Sequence, residues 1–247
     1  SAYMTYPRHD NQGRPVRSPG AGGRVASQSL SEATWLVPLL HGADFVWTRL
    51  AEEDRHRFES NLVRVAIAET IRNPDARPCV HNIQCHRNSA IALAGFLLGD
   101  TNLVHEAIHG RHGWHTNLTY GVNADGAWFE GAWGYHAYTL QALWPLAEAA
   151  RHAGINLYGP LVRHMYDAPL ALASPDGRLP AFNDSTESSI ADMKDLYEVA
   201  FARFGEPAYA AVIRQNGPRE GPLALWYGAT TLPDDGEKAR PIARSRN

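Results

Sequence analysis

"NSAIALAGFLLGDTNLVHEAIHG", residues 88–110, holds two helices and the break between them. The first half is nearly all apolar and runs from a start at Asn88 or Ser89 to Gly99-Asp100. A helix that is apolar on every side belongs in a core. The second half opens at Thr101 as a cap and stops at Gly110, a residue suited to a helix end. Two helices joined this tightly run antiparallel and pack on each other.

The same grammar extends in both directions. "SEATWLVPLLHGADFVWTRL" (31–50) spaces Leu36, Leu39, Leu40, Phe45, Val46 and Leu50 as a helix does, with a cap at Ser29 or Ser31. "EEDRHRFESNLVRVAIAETI" (52–71) is a second amphipathic helix, ended by "RNPDARP" (72–78). Downstream, "YHAYTLQALWPLAEAARHAG" (135–154), "LYGPLVRHMYDAPLAL" (157–172) and "TESSIADMKDLYEVAFARFG" (186–205) are helices, with shorter pieces at 206–216 and 221–228. Strand alternation is almost absent. Serial antiparallel helices predict an all-α bundle, solenoid or toroid. Residues 1–28, polar and rich in Gly, Pro and Arg, read as a flexible or extended lead segment.

The 247 residues carry a net charge of −3, with 44% apolar and 20% charged residues. No basic field points to nucleic acid, and no apolar run points to a membrane partner. No leader is evident at the start. Cys79 and Cys85 are too few for a disulfide scaffold and read as reduced thiols.

Three stretches carry chemistry. His105-Glu106-x-x-His109, with His115 beyond it, matches the zinc-hydrolase pattern of two imidazoles on one helix face. Position 112 is His where the longer pattern needs Gly, the helix has a short lead-in, and no sheet precedes it. Histidines at a helix C-terminus, favoured by the dipole, are the plainer account. Next, "VHNIQCHRNSA" (80–90) packs His81, Asn82, Gln84, His86, Arg87 and Asn88 into eight positions before an apolar helix. Imidazole, amide and guanidinium donors there suit a carboxylate; the alternative is a cap at Asn88 with the others solvated. Finally, "DGAWFEGAWGYHAYTL" (125–140) interleaves Trp128, Phe129, Trp133, Tyr135 and Tyr138 with glycines. Such aromatics suit a sugar cleft or a core layer, and Phe129 and Trp144 are assigned to the core. Tyr135 and Tyr138, three apart, point their hydroxyls to one side.

"NIQCHRNSAIALAGFLLGD" (82–100), "DGAWFEGAWGYHAYTLQALWPLAEAA" (125–150) and "PDGRLPAFNDS" (175–185) together resemble the alginate lyase and heparinase II/III-like polysaccharide lyases, most nearly the exolytic oligoalginate lyases. The resemblance covers roughly residues 29–230 and implies an incomplete (α/α) toroid there, with 231–247 as a tail leading toward a β domain beyond the chain. It implies β-elimination on alginate or a related uronate, with no cofactor and no catalytic metal. Tyr135 takes the part of general base and acid, with Tyr138 one turn away as fallback, and His81 that of the catalytic histidine. Asn82, Gln84, Arg87, Asn88, His136, Tyr138 and Asn183 are candidate substrate-binding residues. Asp184 or Ser185 doubles as a helix cap, and Glu130 orients a neighbour. The partner implied is an anionic uronate oligo- or polysaccharide. A homodimer is compatible with the sequence, and the compartment is open between a bacterial cytoplasm and periplasm. The rival readings are the zinc hydrolase and a carbohydrate-binding toroid without turnover.

Overall fold

A computed structural model describes residues 2–16, 22–72, 79–183 and 185–233. Within them, α-helices follow in series: α1 (Ser29–Val46), α2 (Glu52–Phe58), α3 (Arg64–Arg72), α4 (Asn82–Leu98), α5 (Thr101–His109), α6 (Trp114–Gly121), α7 (Trp133–His152), α8 (Pro160–Leu172), α9 (Lys194–Phe204), α10 (Pro207–Gln215) and α11 (Gly221–Tyr227). Extended pairing among the described residues is a two-residue antiparallel ladder, β1 (Arg178–Leu179) with β2 (Ser188–Ser189), and a few isolated bridges. The protein is all-α.

Several ends differ from the sequence expectation. Helix α4 begins at Asn82, not at Asn88 or Ser89. His81 is its cap: its backbone is extended (φ −167°) and its Nδ1 accepts the Ile83 N–H at 3.2 Å. Asp100 rather than Thr101 caps α5, accepting the N–H groups of Asn102 and Leu103. A carboxylate suits that place, because it meets both the orphan donors and the positive end of the helix dipole. The helix expected over 52–71 is broken by a π-helical stretch, Glu59–Val63, and α6 lies where the sequence marked no helix. The start of the 186–205 helix is given over to β2 and a 3-10 turn, Ile190–Met193, closed by a Ser189–Asp192 capping box.

The chain forms two compact units. The first comprises residues 1–120 and 145–157, the second 121–144 and 158–247. The division falls inside α7 at Pro145, a residue with no N–H for the helix ladder. In the first unit α4 is the core helix, packed against α1, α3 and α5. Ala90, Ala92 and Ala94 are fully buried. Gly95 lets α5 press close, because a Cβ there would stand 2.9 Å from Val104 Cγ2. Residues 2–16 and 22–28, read as a lead segment, fold onto this unit. Glu32 accepts N–H groups from Arg24, Val25 and Ala26. Arg8 and Arg24 both pair with Glu69.

In the second unit α9 packs with α8, α10 and α11. Tyr166, Tyr197, Phe204 and Tyr209 form an aromatic core. Its hydroxyls are matched: Tyr197 donates to the Tyr166 carbonyl at 2.9 Å and Tyr209 to Asp167 at 2.5 Å. Arg219 grips the buried Glu198 with two bonds of 2.7 Å. Among the described residues no helix is long and apolar enough to cross a membrane.

Candidate active site

The first turn of α7 lies in the second unit. Trp133, its first residue, donates its backbone N–H to Ser185 Oγ at 3.2 Å. This satisfies a donor that the helix itself leaves unpaired. His136 lies inward with 1% of its surface exposed. Its Nδ1 accepts the Trp128 N–H at 3.1 Å, and its Nε2 lies 2.9 Å from the Met165 carbonyl. Only a neutral imidazole with its proton on Nε2 satisfies both contacts. Burial pushes its pKa down to about 4, against a smaller raising effect of the Met165 bond. Named from the sequence as a substrate binder, His136 thus spends both ring nitrogens on backbone and ties the 121–128 turn to α8.

A helix turns about 100° per residue, so the neighbour of an inward His136 faces out. Tyr135 is 38% exposed, and Tyr138, one turn on, is half-buried. Trp128 is buried and donates its indole N–H to Glu130 at 2.6 Å, so Glu130 orients a neighbour. Phe129, assigned from sequence to the core, is exposed. It follows Trp128 in the turn, with its ring edge-on to the buried indole.

Between the 121–128 turn, the start of α7 and residues 182–183 lies a cavity of about 320 Å³. Asn123, Asp125, Trp128, Trp133, Phe182 and Asn183 are among its walls. Asn183 holds a left-handed backbone (φ 51°), alone among described non-glycine residues, and donates Nδ2 to the Gly131 carbonyl at 3.1 Å. Strain of this kind persists where the surroundings enforce it, commonly at functional sites. Asp184, the other loop residue named from sequence, lies outside the described residues. Trp133 was expected in a sugar cleft or a core layer, whereas Asn123 and Phe182 were not singled out, since nothing in their spacing separates a cavity wall from a core.

The 81–88 motif lies in the first unit. His81 is half-buried; with Nδ1 accepting from Ile83, its proton sits on Nε2. Asn82, Gln84, Arg87 and Asn88 are buried, so the solvated alternative does not describe them. Gln84 Nε2 donates to Asn88 Oδ1 at 2.8 Å, and Arg87 Nη1 to Gln84 Oε1 at 3.0 Å. Arg87 also donates to the Thr70 and Ile71 carbonyls, and Asn88 to the His112 carbonyl. Burial lowers the Arg87 pKa to about 10, which still leaves a cation at neutral pH. Asn117, unmarked by any motif, anchors this end of α4. It accepts the His81 N–H at 3.2 Å and donates to the His112 and Gly113 carbonyls.

The rings of His105, His109 and His115 follow one another at 5.3 and 5.0 Å between centroids on an exposed face. Glu106 folds back over Gly110, its carboxyl carbon 2.8 Å from where a Cβ would stand. Among the described residues no three His, Cys, Asp or Glu side chains are disposed to hold a metal ion. The HExxH spacing is here a helix end rich in histidine.

On this all-α scaffold the cavity is walled by the indoles of Trp128 and Trp133 and lined by the amides of Asn123 and Asn183. The chain belongs to the alginate lyase family, whose model matches residues 2–168. It is 26% identical over 213 residues to an alginate lyase of Stenotrophomonas maltophilia (strain K279a), a match covering 78% of this chain and 28% of that protein. It is 30% identical over 132 residues to an exo-oligoalginate lyase of Saccharophagus degradans (strain 2-40), covering 51% of this chain and 18% of the relative. The chain therefore spans less than a third of the length of these relatives.

Proposed function

We propose that the protein cleaves alginate or a related uronate oligosaccharide by β-elimination, on an incomplete (α/α) toroid over residues 29–230. The observation that carries this is Tyr135: within a family of alginate lyases, it is exposed at the start of α7 while Trp133 before it and His136 after it are buried. In the proposed reaction Tyr135 takes the C5 proton of the uronate and returns a proton to the departing O4. Positioned acid–base catalysis of this kind contributes roughly 10²–10⁴-fold. Tyr138 is the alternative base. The C5 proton becomes acidic only when the adjacent carboxylate is neutralised, because the intermediate carries a second negative charge. Preorganised donors there lower the barrier by roughly 3–4 kcal/mol each.

His81, protonated on Nε2, is the proposed donor to that carboxylate, with Asn82 beside it. Gln84, Arg87 and Asn88 hold the start of α4 through their mutual bonds and add the positive field of a buried guanidinium. Mass spectrometry of the products tests the reaction class. Elimination gives one fragment lighter by a water than its hydrolytic counterpart; fragments that all carry the added water would overturn the proposal.

A further inference from the structure

The cavity beside α7 has no part in that mechanism, and its chemistry differs from what a carboxylate needs. Among the described residues its walls contain no Lys or Arg, and they include the carboxylate of Asp125. A bound anion would meet repulsion there and no countercharge. Hydroxyls, in contrast, find acceptors in Asp125 and Asn123 and an amide in Asn183. Ring C–H groups find the apolar faces of Trp128, Trp133 and Phe182.

Two further observations point to a ligand. Trp133 lines the cavity, is 5% exposed, and its indole N–H has no acceptor among the described residues. Buried donors are nearly always matched, so an unmatched one on a cavity wall calls for an acceptor from elsewhere. On the facing loop, the left-handed backbone of Asn183 holds its amide against Gly131, where any Cβ would collide with it. At about 320 Å³ the space lies at the small end of ligand pockets, ~300–1,000 Å³, which suits a single sugar ring.

We propose that this cavity is a second sugar subsite, taking the hydroxyl and C–H faces of one residue while any carboxylate is turned out to solvent. The lyase reading supplies only the ligand class; the subsite itself is a matter of binding, with or without turnover.

The test is saturation-transfer NMR and titration with mannotriose, a neutral probe, on the full chain, Trp133→Phe and Phe182→Ala. Phe182 is 52% exposed, so its truncation leaves the core alone; far-UV circular dichroism checks that both variants fold. Wild type should bind the probe. Trp133→Phe keeps the aromatic face and loses one donor, so affinity should fall roughly three- to tenfold, the worth of about one net hydrogen bond. Phe182→Ala should fall by a similar factor through lost apolar contact. Asp125→Asn should raise affinity for trimannuronate relative to mannotriose, measured in a Tyr135→Phe background so that the anionic probe survives. Wild type that does not bind mannotriose, folded Phe182→Ala that binds it as wild type does, or an unchanged preference in Asp125→Asn would each overturn the proposal. Lack of elimination on any polyuronate would refute the lyase reading alone and leave the mannotriose result standing.

Discussion

Acid should loosen the second unit through one residue, His136. Its folded pKa of about 4 lies below the ordinary histidine value of 6.5 because burial disfavours the imidazolium. As pH falls, the unfolded chain therefore takes up this proton first. The stabilisation is complete above pH 6.5, declines between 6.5 and 4, and is gone below 4. The gap is about 2.5 pKa units at about 1.4 kcal/mol each, so the loss is about 3 kcal/mol. In structural terms, a second ring proton would abolish the Nδ1 acceptor that holds the Trp128 N–H. The assay is urea unfolding followed by tryptophan fluorescence, on wild type and His136→Gln, at steps from about pH 7.5 to 4. Carboxylates titrate in both proteins and cancel in the difference. The variant should be less stable at neutral pH, with the gap closing by about 3 kcal/mol as pH falls. A gap constant across that window would refute the account of a neutral, doubly bonded His136.

Other substitutions probe neighbouring claims. Tyr135→Phe should lower turnover by roughly 10²–10⁴-fold with little effect on substrate binding by calorimetry; retained turnover would move the role to Tyr138. Gly131→Ala forces a side chain into a positive φ (76°) against Asn183, which should cost about 1–3 kcal/mol in thermal unfolding. Arg87→Met strands the carbonyl of Thr70 and the amide of Gln84 in a buried site, and should destabilise by about 2–4 kcal/mol in chemical denaturation. His109→Ala breaks the exposed imidazole row and should leave turnover and its response to chelators unchanged, as measured on the same polyuronate.

The helix class was legible because apolar spacing reports burial directly, and α7 began within two residues of its expected start. The start of α4 was not legible. Asn82, Gln84, Arg87 and Asn88 read as a donor cluster ahead of the helix, yet they are buried within it: Arg87 reaches the Thr70 and Ile71 carbonyls, Asn88 reaches His112, and Gln84 bonds to both Arg87 and Asn88. Pairing of that kind has no local signature. The tyrosine block stood out in the sequence and the resemblance singled out Tyr135, but neither gave the inward turn of His136 between two backbone partners. The HExxH spacing could not be decided from spacing alone for a related reason: sequence fixes which face a residue shares, not whether Glu106 turns toward the histidines or back over Gly110.

The most direct measurement is ultraviolet absorbance during incubation of the full chain with polymannuronate, polyguluronate and short uronate oligomers. β-Elimination forms a conjugated unsaturated uronate, so absorbance near roughly 235 nm should rise with wild type and stay flat with Tyr135→Phe. New reducing ends appearing without that absorbance, or an equal rise from the phenylalanine variant, would contradict the assignment of Tyr135 as the base of a lyase.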